Sequence, residues 1–459
     1  MGQSRVVSSA ILAIATFLWS TGARANGRYP ATGQIVISPS NQDMLILRTT
    51  FGLLVSSDGG RDWAWVCESA IGFNGDEDPT IGATSDGSIL ATLYEGLAVS
   101  VDGGCSWGFA SALSGLAAAD VAVRSDNPHA ALSLAWKSTT DDAGLTTFDS
   151  RIYRTVDDGA QWTWIGSLPG STVFPQTLDV ATSDSSRVYV SAVRGIYETQ
   201  GVTLYVSRDG ATTFVENTVP IDTKLESGAF IAAVDPSNAD RVYLRTWPIS
   251  RLLVSDDAGL TFASVLSFSG EMQGFALSPD GGTIYAGGPS DGLWVGDAAT
   301  LQFSQVSSIP VECLATSGAK LFACSSEDAF ALGVSIDGGQ SFTPLFRLGD
   351  LSTVLACPVS SGVAACTAQW PEFCRTTPVC SGPDAGEAGA APGDGAPGAQ
   401  VQTEVAPRHD ACSCRIPGRA TDGVRSRAGA GALTLLAGLA WARRRRGVRA
   451  SPLGPPSRE

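Results

Sequence analysis

Ser100-Val101-Asp102-Gly103-Gly104-Cys105-Ser106-Trp107 is one copy of an octapeptide that recurs along the chain. It reads SSDGGRDW at 56–63, TVDDGAQW at 155–162, SRDGATTF at 207–214, SDDAGLTF at 255–262 and SIDGGQSF at 335–342. A worn copy, GDAATLQF, lies at 296–303. The shared pattern is Ser/Thr-x-Asp-x-Gly-x-x-aromatic, with an apolar pair ahead of most copies (Leu53-Leu54, Leu97-Ala98, Leu252-Leu253). Each copy joins a short apolar run to an aromatic-led run, so it predicts the turn of a β-hairpin. Gly supplies the positive φ such a turn needs without a Cβ clash. The Asp carboxylate accepts from turn N–H groups, and the Ser/Thr hydroxyl does so more weakly. Asp58, Asp102, Asp157, Asp209, Asp257 and Asp337 are therefore structural. Six scattered catalytic or metal-binding aspartates would make no single chemistry.

The third positions, with Ala298 in the worn copy, are 39 to 55 residues apart. That period indicates a propeller or array of four-stranded units. The octapeptide resembles the Asp-box, or BNR, repeat of β-propellers. The resemblance implies an all-β, seven-bladed propeller of four-stranded antiparallel blades over 26–370, with each box as a C–D turn. Blade 1 gives the expected grammar: strand A at 34–38, B at 44–48, C at 53–56 and D at 63–67, without helical periodicity anywhere before Trp370. A last pair of runs, Val354 to Cys357 and Val363 to Cys366, is expected as a closing or capping hairpin.

The termini read differently. Arg5, an apolar run to Trp19 and Ala23-Arg24-Ala25 form a secretory signal over 1–25. Residues 371–380 form a Cys-containing closing segment, and 381–411 a Gly/Ala/Pro-rich flexible linker. In 412–446 a Cys412-Ser413-Cys414 motif precedes an apolar span, Ala428 to Ala442, and Arg443 to Arg446. The span is short of the ~20 residues of a permanent helix. This end resembles the myxobacterial C-terminal sorting tag, which implies processing at Cys412 or Cys414 by a sorting protease and anchoring at the cell surface. The arginines would stay on the cytoplasmic side. Residues 447–459 read as a disordered tail.

Ten cysteines in an exported chain favour disulfides. Cys313 with Cys324 and Cys357 with Cys366 fall on opposite arms of two expected hairpins, and Cys374 with Cys380 closes a small loop. The pairing of Cys67 and Cys105 stays open. Only two histidines, His129 and His409, are present, and no spacing resembles a zinc site. No metal or cofactor is expected. Between Asn26 and Trp370 there are 13 arginines and 3 lysines against 37 acidic residues, a net −21. Such a surface disfavours nucleic acid as a partner.

In a propeller the B–C and D–A loops surround the channel mouth. Here the B–C loops carry Arg48, Tyr94-Glu95, Lys137, Arg194 with Tyr197-Glu198, and Arg245-Thr246-Trp247; the first D–A loop carries Asp76-Glu77-Asp78. Sialidases, which also use this repeat, would cast Arg48, Arg194 and Arg245 as a carboxylate-binding triad, with Tyr197, Glu198 and Asp78 in the chemistry. The family's Arg-Ile-Pro signature is missing, Arg28-Tyr29-Pro30 being a poor substitute, and its usual blade number is six. Xyloglucanase-type enzymes pair two such propellers, and this chain has room for one. Sortilin-type receptors and photosystem II assembly factors use the repeat without catalysis. The expectation is an exported, surface-anchored binding or scaffold module for a glycan, matrix or protein ligand, with Arg48, Tyr94, Glu95, Arg194, Arg245 and Trp247 as candidate ligand residues. The alternative is a sialidase-like glycoside hydrolase.

Overall fold

Central strands such as Gly52–Ser56 and Ile89–Leu93 are buried at every position. They read as continuous apolar runs because each sheet is covered on both faces by its neighbours. The computed structural model describes residues 29–73, 75, 77–194, 201–327 and 330–380. The signal segment, the linker, the Cys412/Cys414 tag, Tyr197 and Glu198 lie outside these residues. Among the described residues, seven antiparallel sheets span 32–66, 81–109, 117–167, 173–219, 226–267, 274–307 and 313–346. Each is traversed in order A-B-C-D, giving the seven-bladed propeller that the repeat implies. Outer strands such as Val215–Val219 are largely exposed.

The A strands of successive blades touch all round, and that of blade 7 (Cys313–Ser317) meets that of blade 1 (Thr32–Ile37). Inner-edge backbone groups would otherwise lack partners. Side chains from the neighbouring blade supply them. The Gln34 amide both accepts from Ile81 N–H and donates to Ile81 C=O (2.9 and 3.0 Å). Asp120 accepts from Leu178 N–H (2.8 Å), Asp179 from Val234 N–H (3.1 Å) and Thr177 from Ile231 N–H (2.8 Å). Thr32 closes the ring by donating to Ala331 C=O (2.7 Å).

The six full octapeptides form one repeated turn. The first-position hydroxyl donates to the aspartate at 2.7–2.9 Å. It also accepts the fifth residue's N–H at 2.7–3.1 Å. The aspartate accepts the seventh residue's N–H at 2.8–3.1 Å. Positions four and five are both left-handed, from Gly59-Gly60 (φ 78° and 90°) to Ala258-Gly259 (φ 59° and 80°). In the worn copy Asp297, one residue early, accepts from Ala299 and Thr300 N–H, and Ala298 is buried. The fourth residue of several turns donates to the A–B turn of its own blade, as Gly59 does to Asp43 C=O (2.8 Å) and Ala258 to Asp240 C=O (2.8 Å). Both turn sets therefore share one face.

The chain after blade 7 departs from expectation. No hairpin forms at 354–366. Thr353–Val354 instead pairs parallel with strand D of blade 1 (Ala64–Val66), giving that sheet a fifth strand. Helix α1 (Glu68–Ile71) precedes helix α2 (Ala364–Thr376), which starts inside the span read as helix-free. Cys357 and Cys366 do not pair with each other, because α2 carries Cys366 away to Cys67 while Cys357 reaches Cys105. The pairs Cys313–Cys324 and Cys374–Cys380 form as expected.

Candidate functional site

The seam between blades 1 and 2 gathers part of the expected mouth set. Arg48 is next to last in strand B of blade 1 (Leu45–Thr49), and its guanidinium lies 3.3 Å from the Asp78 carboxylate. Gly33 makes room for it, since a Cβ there would sit 2.6 Å from Arg48 Nη2. Tyr94 N–H donates to Glu77 at 2.8 Å. Burial first, then the negative charges of Glu77 and Asp78, push the Tyr94 hydroxyl pKa up. The ring is 45% exposed, beside exposed Glu95. Arg48, Glu77, Asp78 and Tyr94 thus form one half-open cluster.

The other arginines are held elsewhere. Arg194 ends strand B of blade 4 (Val188–Arg194) and pairs with Glu216 of that blade's outer strand. Glu216 also accepts from the Tyr205 hydroxyl (3.3 Å). Arg245, on strand B of blade 5 (Val242–Pro248), donates to Met272 C=O (2.5 Å) and lies over the Phe230 ring at 5.0 Å. Burial pushes its pKa down. Arg48, Arg194 and Arg245 therefore have three separate partners: Asp78, Glu216 and the Met272 carbonyl.

Blade 5 adds a network that the sequence pattern did not single out. Glu226, 3% exposed, accepts two bonds from Arg251 (2.6 and 2.7 Å), one from Thr246 (2.8 Å) and one from Asp222 N–H (2.6 Å). Trp247, 42% exposed, donates to Glu271 at 2.7 Å. The only sequence signal for these acids is their place near strand ends. Blade 3 differs again. Its B and C strands (Ala131–Thr140 and Thr146–Thr155) run ten residues each and pair to their tips, so this hairpin is longer than the B–C hairpins of the other blades. Trp136, Phe148 and Phe174 pack edge-to-face at its base, with centroids 5.1–5.7 Å apart. Lys137 and Arg151 both pair with Asp149 (3.6 and 2.6 Å).

A cavity of about 300 Å³ opens at the other end of the channel, against the ends of the A strands of blades 1 to 3. Val36, Ile37, Ile81, Val121 and Val123 wall it, with Arg124 at the edge. Arg124 is held by Asp126 (2.5 and 3.1 Å). The candidate ligand residues expected from the sequence belong to the B–C and D–A loops of the opposite face. Among the described residues no three His, Cys, Asp or Glu side chains are grouped to hold a metal ion.

No protein-family model matches this chain, and no curated protein matches it. Among solved structures it is similar to the GH74 xyloglucanase from Xanthomonas campestris, at 15% identity over 71% of this chain and 65% of that one, TM-score 0.35. The matched part thus spans about two thirds of the enzyme. It is similar to YCF48 bound to D1 peptide at 14% identity, over 58% and 82% of the two chains, TM-score 0.38. It is also similar to the Cps50 (Swd1) β-propeller domain of Myceliophteria thermophila at 10% identity, over 65% and 94%, TM-score 0.42.

Proposed function

We propose that this protein is an exported binding or scaffold propeller, presented at the cell surface on its linker and C-terminal tag, that holds a glycan, matrix or protein ligand without turning it over. One observation carries the reading. Among the described residues each arginine that a sialidase-like site would use has a partner of its own, Asp78 for Arg48, Glu216 for Arg194 and the Met272 carbonyl for Arg245, which supports binding over turnover. Four disulfides support export, because such bonds persist in oxidising compartments. The repeated turns support membership of the Asp-box propellers, a fold that does not fix function.

A second reading has a specific observation behind it. Tyr94, Glu77, Asp78 and Arg48 bring a tyrosine, two carboxylates and a guanidinium together at one seam. That is the chemistry of a glycoside hydrolase site.

One experiment separates the two. The oxidised protein is assayed against fluorogenic sialosides and a panel of other glycosides, beside a glycan array. The binding reading expects retention without turnover. Turnover abolished by Asp78→Asn or Arg48→Ala would establish the hydrolase instead.

A further inference from the structure

Trp247 stands at the mouth end of strand B in blade 5 with its ring partly open to solvent. Across strands A and B it is paired with Gly228, which brings no side chain against it. The ring is held by its edge. Nε1–H donates to Glu271 Oε1 (2.7 Å), and Glu271 Oε2 accepts from the Gln273 amide (3.2 Å). An indole N–H lies in the ring plane, so this carboxylate meets the edge and does not cover a face. At Tyr94, by contrast, the bond to Glu77 is made by the backbone N–H and not by the ring.

The loop that carries Glu271 and Gln273 is pinned from both neighbouring blades. The Ser250 hydroxyl accepts Met272 N–H (2.8 Å), and Ser250 N–H donates to Gly270 C=O (3.0 Å). Asp291 of blade 6 accepts from Ser269 and Gly270 N–H (2.8 and 3.2 Å). Gln273 N–H donates to Gly287 C=O (3.1 Å), and a Cβ on Gly288 would collide with the Glu271 carbonyl. A fixed frame beneath an exposed aromatic, a carboxylate and an amide is how a binding site keeps its geometry. The chemistry indicates the ligand. Glu271 accepts, the Gln273 amide donates and accepts, and Trp247 offers an apolar face. A pyranose has the complement: C–H groups on its faces, and around its edge hydroxyls that both donate and accept. Charge opposes an ionic ligand. The negative charge of Glu271 acts on the buried Arg245 guanidinium, so the two offset each other, and a propeller of net −21 repels a polyanion. Leu225 and Ile249, both exposed, lie at the ends of the same two strands, where Glu226 pairs with Pro248, and add apolar surface for a second sugar unit.

We propose that the mouth end of blade 5 is a binding site for a neutral oligosaccharide, with one sugar ring stacked on Trp247 and hydroxyls of that ring bonded to Glu271 and Gln273. This rests on the reading of the protein as a binding propeller and narrows it to one ligand class and one place on the ring. The cluster of Arg48, Glu77, Asp78 and Tyr94 at the seam of blades 1 and 2 takes no part in it.

The test titrates the oxidised full chain by calorimetry with the hexaoses of cellulose, xylan, mannan and chitin, and with hexagalacturonate as the charged control. At least one neutral hexaose should bind, and hexagalacturonate about tenfold more weakly or not at all. Trp247→Ala should weaken the best hexaose about tenfold or more, and Trp247→Phe should recover part of the loss. Glu271→Gln keeps an acceptor and should cost little, whereas Glu271→Ala should cost about threefold or more. The indole N–H resonance that vanishes in Trp247→Phe should shift on titration, and unchanged melting confirms that each variant is folded. Hexaose binding that ignores Trp247 and is lost in Arg48→Ala would overturn this site and leave the binding reading standing. Trp247-dependent binding followed by turnover that Asp78→Asn abolishes would do the reverse. Retention of no hexaose, a preference for hexagalacturonate, or equally large losses in Glu271→Gln and Glu271→Ala would overturn the proposal. So would a displayed peptide library that enriches Trp247-dependent ligands with which no hexaose competes.

Discussion

At the scale of single residues, the repeated turn sets two opposite demands at neighbouring positions. The fourth position accepts a side chain in blades 3 and 5, where Asp158 and Ala258 adopt φ of 58° and 59°. The fifth packs against the preceding blade and is Gly in every full copy except that of blade 4, where the buried Ala211 (φ 72°) is accommodated. A Cβ on Gly259 (φ 80°) would lie 2.5 Å from Leu204 Cδ2, whereas one on Gly210 (φ 69°) would meet nothing within 4 Å. Gly210→Ala should therefore cost only the left-handed strain, about 1 kcal/mol, and Gly259→Ala roughly 2–3 kcal/mol, because the clash adds to it. Urea unfolding of the two variants measures the difference, and equal losses would show that packing has no part in it. Carboxylates at the same scale set a pH profile with two limbs. Hydroxyls at the seventh position, with turn N–H groups, hold Asp209, Asp257 and Asp337 down to about 2. Their stabilisation is complete above the ordinary carboxylate value and is lost as pH falls from about 4 towards 2. Asp120 and Asp179 behave oppositely. Burial pushes them up to about 7 and about 6, so the folded state takes up protons more readily than the unfolded chain. Their effect is to raise stability as pH falls from about 7 towards 4, by at most about 4 kcal/mol for Asp120. Thermal melts should be highest between pH 4 and 5.5. Asp120→Asn should flatten the alkaline limb and leave the acid limb in place; an unchanged alkaline limb would remove Asp120 from the account.

At the scale of elements, the hexapeptide Asp-Asp-Ala-Gly-Leu-Thr shows how far local sequence reaches. It occurs at 141–146 and again at 256–261. In blade 5 the second aspartate, Asp257, accepts from Thr261 N–H, and Ser255 donates to it. At the tip of the long blade 3 hairpin the first aspartate, Asp141, accepts from Ala143 and Leu145 N–H instead. The same six residues make two turns, because the flanking strands fix the register and the turn adapts to it. The blades were legible for the complementary reason: six full copies place the same hydroxyl, carboxylate and aromatic at the same steps. The closing segment was not legible in that way. Two short apolar runs, each ending in Cys, on either side of Ser360-Ser361-Gly362 suggest a hairpin. The signal for α2 was the spacing of Cys366, Trp370, Phe373 and Cys374 on one helical face, which becomes meaningful only once Trp65 and Cys67 are there to receive it. The candidate site was legible as an inventory of mouth residues but not as a constellation. Whether Arg194 turns to Glu216 or inward depends on a neighbouring strand that no local pattern specifies. The α2 contact gives its own prediction. Phe373→Ala removes the ring stacked on Trp65 and should cost about 2–3 kcal/mol. Exposure of Trp65 should shift the tryptophan emission to longer wavelength, and a variant with wild-type emission and stability would mean that α2 is held by its disulfides alone.

At the scale of the whole molecule, the ring closes without exchanging strands. Blade 1 and blade 7 each contain four strands of their own, so the seam between them rests on the contact of their A strands, the Thr32–Ala331 bond, the Trp63 indole that donates to Leu345 C=O and packs on Phe346, and the C-terminal strap, the segment after blade 7 that carries Thr353–Val354 and α2. The strap is fixed by Cys67–Cys366 and Cys105–Cys357, bridges spanning 299 and 252 residues. These bridges are nested. While one is intact, the other constrains only the short segments between the two, 67–105 and 357–366. With both removed, the two ends of the propeller are free of each other in the unfolded chain. Chain-entropy reasoning then gives a loss of about 3–4 kcal/mol for Cys67→Ser/Cys366→Ser or for Cys105→Ser/Cys357→Ser alone, and a combined loss larger than the sum by roughly 1–2 kcal/mol. Against the ~5–15 kcal/mol of an ordinary folded protein, the four-fold variant would keep little stability. Removal of Cys374–Cys380, which spans only 6 residues, should cost least. The measurement is a double-mutant cycle of denaturant unfolding under non-reducing conditions, with amide exchange read at the A strands of blades 1 and 7. The closure argument requires the coupling to be unfavourable to the doubly broken chain and exchange to rise first at that seam. Additive losses, with exchange rising uniformly around the ring, would show that the direct contacts of blades 1 and 7 close the propeller without the strap.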